Sequence, residues 1–235
     1  MKKFQILFFF LISLGLGAQT PAEVVDNYLE AIGGKTALKN IKSLQAEIRV
    51  ESNGIVMDGR LAYSIPGKQY TEMTFRDDKI VEVINGDQGW MINPMTGSST
   101  PIPMTAEQVR AAKKNITAEK LLNTADYTLE DLGEKVLKGN TYRVLNVKFK
   151  QGDEPARKQY FNKSTGLIEF TEVASPMGGT IFVAFEDYKD VNGLKFPASI
   201  LSYTDSDLDS PAMSLTMKNL QVNAPVDNTL FSKPQ

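Results

Sequence analysis

The sequence predicts an α+β protein built on a single strongly curved antiparallel sheet or open barrel that holds its helices on the concave side. Three observations point there. Apolar and polar residues alternate with a period of two over most of the chain, helical periodicity is confined to a short front segment and an interrupted middle one, and several strands are apolar on both faces.

The elements begin after Pro21, where Val24, Val25, Tyr28, Leu29 and Ile32 form one face of a short amphipathic helix that Gly33-Gly34 stops. Residues 36–41 add at most another turn. Leu44, Ala46, Ile48 and Val50 then alternate with Gln45, Glu47, Arg49 and Glu51, and Asn53-Gly54 supplies a hairpin turn because both residues tolerate positive φ. Over 55–65, Ile55, Met57, Leu61, Tyr63 and Ile65 alternate against Asp58, Arg60 and Ser64, and Pro66-Gly67 closes the run. Residues 69–76, 79–85 and 88–93 read as three more strands, separated by Asp77-Asp78 and Gly86-Asp87, so the front half is a five-stranded meander. Residues 96–103 read as a loop. Thr105-Ala106-Glu107-Gln108 opens a helical stretch that runs with interruptions to about residue 125, with Val109, Ile116, Leu121 and Leu122 as its apolar residues. From 127 to 222 the strand pattern resumes, with turns at Gly139-Asn140, Gly152-Asp153, Gly178-Gly179 and Asn192-Gly193 among others, enough for six or seven strands.

Composition removes more chemistry than any motif supplies. With no cysteine and no histidine, the chain cannot build Ser-His-Asp or Cys-His catalytic pairs, zinc or iron–sulfur sites of the usual kinds, or disulfides, and no metal or cofactor is expected. A lipid-anchoring cysteine is absent too. The net charge of −2 comes without any basic cluster, so nucleic acid is not an expected partner. Lys2-Lys3, an apolar stretch over 6–16 and small residues ending at Ala18 read as a cleaved export signal, too short to span a bilayer. Removing 18 of 235 residues leaves 217, a single domain over 19–235 that is expected to be a periplasmic monomer.

Strands that are apolar on both faces must meet something apolar on both. Val56 lies beside Ile55 and Met57, Val81 and Val83 beside Ile80 and Ile84, and Phe182 beside Ile181 and Val183. Helices packed into the sheet account for part of this. A lipid-accepting cavity is the competing explanation, and eight methionines after the leader, at 57, 73, 91, 95, 104, 177, 213 and 217, suit apolar ligands of variable shape, although methionine is also an ordinary core filler.

Several stretches together resemble the bacterial periplasmic lipoprotein carrier LolA, its outer-membrane receptor LolB and their relatives. Residues 29–34 followed by 41–44 look like the opening of such exported proteins, and 63–68 like a strand ending at proline. The run 84–94, with Gly86, Trp90 and Pro94, resembles the family's D-G-x-x-x-W-x-Y-x-P hairpin, and it is the most specific match. Residues 160–168, 188–197 and Leu230-Phe231 resemble later hairpins and the family's end. The resemblance implies an open half barrel of about eleven strands with a helical lid, binding acyl chains in its hollow. Where the carrier has an arginine before the strand-ending proline this chain has Ile65, so that residue's role in lid opening is not carried over.

The expected function is a binding or carrier protein for lipoproteins or other acylated ligands, with an inner- or outer-membrane delivery partner. A protein-interaction or envelope-stress module on the same fold and a carboxylate-dependent hydrolase are the alternatives. The candidate lining comprises Tyr28, Leu29, Ile32, Met57, Leu61, Tyr63, Met73, Phe75, Trp90, Ile92, Leu121, Phe182, Met213 and Met217. Asp77-Asp78 and Asp187 with Asp190 are the carboxylates a hydrolase would use, although turn positions explain both groups better. Asp205, Asp207 and Asp209 open like a calcium loop but lack its Gly and its final Glu.

Overall fold

A computed structural model describes residues 19–113, 120–150, 155–175, 178–204 and 208–234. The expected export signal, the centre of the middle helical stretch, Met177 and most of the calcium-like loop lie outside them. Helix α1 spans Pro21–Ala31, α2 Lys35–Lys39 and α3 Ala106–Ala112. The strands are β1 (Ser43–Ser52), β2 (Ile55–Ser64), β3 (Lys68–Phe75), β4 (Asp78–Asn85), β5 (Gln88–Asn93), β6 (Ser98–Pro103), β7 (Tyr127–Leu137), β8 (Asn140–Phe149), β9 (Arg157–Asn162), β10 (Ile168–Ala174), β11 (Thr180–Val191), β12 (Leu194–Thr204) and β13 (Met213–Val222).

All thirteen strands join one antiparallel sheet in the order β6-β5-β4-β3-β2-β1-β13-β12-β11-β10-β9-β8-β7. Two meanders thus meet where β1 pairs with β13, and β6 and β7 are left as free edges, so the curved sheet is a half barrel. The connection carrying α3 leaves from one edge and arrives at the other. Residues 96–103, expected as a loop, instead form the edge strand β6, whose Trp90–Pro103 and Met91–Ile102 pairs reach only β5. Pro101 and Pro103 hide that strand in the sequence, and an edge tolerates them because one side of its ladder is unused. With β6 added to the seven strands after residue 127, the sheet exceeds the eleven or so expected.

Residues directly opposed in an antiparallel ladder project from the same face. One row runs Ile80–Met73–Gly59–Ile48–Met217 across five strands. A second runs Met57–Val50–Leu215–Ile200–Phe185. Both helical segments lie on this concave face. Phe185 packs against the core beneath α1, where Val25, Leu29, Leu121, Leu145 and Val147 are fully buried. At the other end, a Cβ on Gly89 would come within 2.8 Å of Met104 Sδ and 2.9 Å of Val109 Cγ2, which shows how closely α3 rests on β5.

Helix α1 starts at a capping box, with the Glu23 N–H donating to Thr20 Oγ1 at 3.3 Å and the Thr20 N–H to Glu23 Oε2 at 2.7 Å. It ends at Gly33, whose φ of +123° and near contact with Gly193 O let the chain turn directly over the β11–β12 hairpin. There the Lys195 N–H donates to Ile32 O at 3.1 Å and fixes the helix to the sheet.

The convex face carries two smaller cores, which explains why so many strands are apolar on both sides. Tyr142, Tyr160, Phe170, Ala184 and Tyr203 form one, with edge-to-face ring pairs at centroid distances of 5.6–6.3 Å. Ala62, Tyr70, Val81 and Val83 form the other, closed by Phe231 in a 3-10 turn over Asn228–Phe231.

Candidate functional site: an apolar concave hollow

The pairing register gathers Met57, Leu61, Tyr63, Met73, Phe75, Met213 and Met217 onto the concave face. None is fully buried, and Met213 is 36% exposed, so among the described residues this part of the apolar face is partly open beyond the reach of α1, while Ile48 and Val50 in the same rows are buried. Met91, opposite Glu82 and Ile102, belongs to it as well. Of the remaining methionines, Met104 lies against Gly89 beside α3, and Met95 is an exposed turn residue. The concave rows also contain Ile48, Val50, Ile80, Val183, Ile200 and Leu215, which the sequence reading did not single out. Alternation marked each of them as one face of a strand, but not which face turned inward.

The other expected lining residues lie elsewhere. Tyr28, Leu29, Ile32 and Leu121 are in the core under α1, where they hold the helix onto the sheet rather than face open space. Trp90, Ile92 and Phe182 are on the convex face. Trp90 pairs with Val83, Ile92 with Val81 and Phe182 with Tyr203, and these partners belong to the two outer cores. The correction has one cause, a phase difference of a single residue that exchanges the two faces of a strand. The inward residues beside them are Met91, Ile181 and Val183.

Glu82 puts a carboxylate on the hollow's wall. Glu82, half-buried, is flanked across the strands by Met91 and Thr71, and among the described residues no hydrogen bond or ion pair reaches it. Burial raises its pKa above the ordinary carboxylate range. Glu172 on the convex face shows the opposite balance. It is 8% exposed, yet hydrogen bonds from Tyr160 and from Lys158 Nζ at 2.9 Å, with Lys135 at 4.0 Å, outweigh desolvation and hold its pKa below the ordinary value. Because the folded pKa of Glu82 is raised, its ionised form opposes folding. The penalty is absent below the unfolded value, grows as pH rises through the raised folded value, and is complete above it. Glu82→Gln is therefore expected to raise the melting temperature at pH 8 and leave it unchanged at pH 4, read by thermal unfolding at both pH values.

The two pairs of carboxylates named for a hydrolase lie at separate places. Asp77 and Asp78 border a groove of about 950 Å³ on the convex face, under the C-terminal segment, together with Glu72, Lys79 and Lys233. Asp187 lies on a separate depression beside Tyr142 and Glu186, and Asp190 Oδ1 accepts the Gly193 N–H at 2.9 Å as a turn residue. The larger groove has charged walls and does not suit an acyl chain. Among the described residues there is no cluster of acidic side chains that could hold a metal ion, and no helix long and apolar enough to cross a membrane.

Neither protein-family profiles nor curated protein sequences give a match to this chain. Solved structures do. A LolA superfamily protein from Nitrosomonas europaea superposes with a TM-score of 0.59 at 15% identity, over 92% of this chain and 99% of that one. A domain assigned to outer membrane lipoprotein sorting from Vibrio parahaemolyticus gives 0.59 at 11% identity, over 90% and 96%. A DUF1329 family protein from Desulfovibrio piger gives 0.59 at 12%, over 89% and 95%. The chain shares its fold with these three proteins.

Proposed function

We propose that this protein binds and carries acylated molecules, with the acyl chain lying in the concave hollow and the protein acting in the periplasm after removal of residues 1–18. The observation that supports this reading is the apolar concave face: rows of Met, Ile, Leu and Val cross five strands, and among the described residues no covering element of comparable length lies over them. At about 25 cal/mol per Å² of apolar surface removed from water, an acyl chain laid along such a row gains enough to bind stably. Methionines on several strands adapt the surface to chains of different shape. Lipoproteins are the cargo that the Vibrio parahaemolyticus relative suggests, and delivery between membranes is the role that such cargo implies.

The test is native mass spectrometry of residues 19–235 purified without detergent, followed by organic extraction. A lipid or lipopeptide at stoichiometric amount is the expected result. An empty protein that also fails to take up a fluorescent acyl probe would overturn the reading.

A second reading, a protein-interaction module, is favoured by one feature. The free edge strand β7 exposes Leu132 (43%) and Val136 (69%), an arrangement suited to a partner strand. It predicts a protein partner that binds with the hollow blocked.

A further inference from the structure

Gln159 on β9 is 0% exposed, and among the described residues neither its Nε2 nor its Oε1 has a hydrogen-bond partner. Reversing the carboxamide changes nothing, because both ends are unpaired. Its cross-strand partners are Leu145 and Thr171, and the same row continues through Val183 and Ser202 to Met213. The side chain is thus on the concave face, at the inner end of a row that leads into the methionine-lined part of the hollow. A buried polar group without a partner is a standing cost to the fold, and a methionine of similar volume would not incur it.

We propose that Gln159 reads the amide linkage of an N-acylated ligand, with Oε1 accepting the ligand's N–H, while the acyl chain runs past Thr171, Val183 and Ser202 toward Met213. The proposal rests on the hollow being an acyl site and names the chemistry of what enters it. A carboxamide offers one donor end and one acceptor end. An amide-linked ligand pairs Oε1 with its N–H, whereas an ester supplies acceptors alone and leaves Oε1 unpaired. From β9 to β13 are four strand spacings, about 19 Å along the sheet, the reach of a long-chain acyl group.

The experiment compares N-propyl palmitamide with propyl palmitate, a pair differing only by N–H against O, as competitors of a fluorescent acyl probe on the delipidated protein 19–235. The expected result is about tenfold tighter binding of the amide. Without a protein partner the order would reverse, because an amide is costlier to desolvate than an ester. Gln159→Met is expected to lose the preference, to bind the ester as well as the wild type does, and to melt at a higher temperature than the ligand-free wild type. Gln159→Leu serves as the second variant should the first not fold. Equal binding of the two compounds by the wild type overturns the proposal, as does a preference retained in the variants. A variant that melts lower shows a carboxamide already satisfied by trapped water, and also overturns it. Failure to bind either compound overturns instead the reading of the hollow as an acyl site.

Discussion

Met57→Glu is expected to weaken acyl-probe binding at least tenfold, about 1.4 kcal/mol, while Val56→Glu leaves it unchanged. The two residues are neighbours in β2, and only their faces differ. Met57 sits opposite Val50 in a concave row, half-buried among apolar side chains, whereas Val56 is 45% exposed and pairs with Glu51 on the other face. A carboxylate at 57 stays hydrated in the empty protein but must be desolvated without a partner once an acyl chain covers it, so the cost falls on binding rather than on folding. At 56 the same group remains in water. Circular dichroism and thermal unfolding verify that both variants fold, and probe titration gives the affinities. Equal affinities in the two variants would show that the hollow is not where the chain lies.

Gly59→Ala is expected to cost the fold about 3 kcal/mol or more, seen as a large drop in the urea midpoint. Gly59 lies between Ile48 and Met73 on the concave face, and a Cβ built there would overlap the Glu72 carbonyl oxygen and approach Met73 Cα at 2.9 Å. The obstacle is backbone of β3, so no rotamer change relieves it. Glycine at this point allows β2 and β3 to bend sharply enough for the sheet to curve around a hollow. Gly89→Ala is the informative contrast. Its added Cβ meets the ends of Met104 and Val109, which can move, so a smaller loss is expected. A Gly59→Ala protein with the wild-type midpoint would mean that the curvature does not depend on this position.

Much of the architecture is readable from local chemistry. Asn53-Gly54, Gly86-Asp87 and Asn192-Gly193 fall between consecutive strands, the turn expected at Gly139-Asn140 lies one residue earlier at Lys138-Gly139, and Asn53, Gly54, Gly86, Lys138, Gly139, Asn192 and Gly193 have positive φ. The Thr20–Glu23 and Thr105–Gln108 capping boxes mark where α1 and α3 begin. Strand β6 was missed because its prolines carry the signal of a loop, and only the neighbouring β5 shows that the segment is paired. The candidate lining was legible in part. Met57, Leu61, Met73, Met213 and Met217 share the hollow, but Trp90, Ile92 and Phe182 belong to the opposite face, although nothing in their own strands distinguishes the two sides.

What the sequence determined by itself is every strand but β6, most of the turns, the front helix, and the exclusion of histidine and cysteine chemistry, because turn dihedrals, helical periodicity and side-chain inventory depend only on near neighbours. The tertiary structure alone decided that β1 pairs with β13, bringing Val50 opposite Leu215, and that the registers shift between Gln45 and Glu47 and between Ile168 and Phe170. It also decided which face is concave and that Gln159 is buried there without a partner among the described residues. These features follow from contacts between residues far apart in the chain. A strand's period of two repeats identically on either face, so its phase is set only when its partners and the helices are in place.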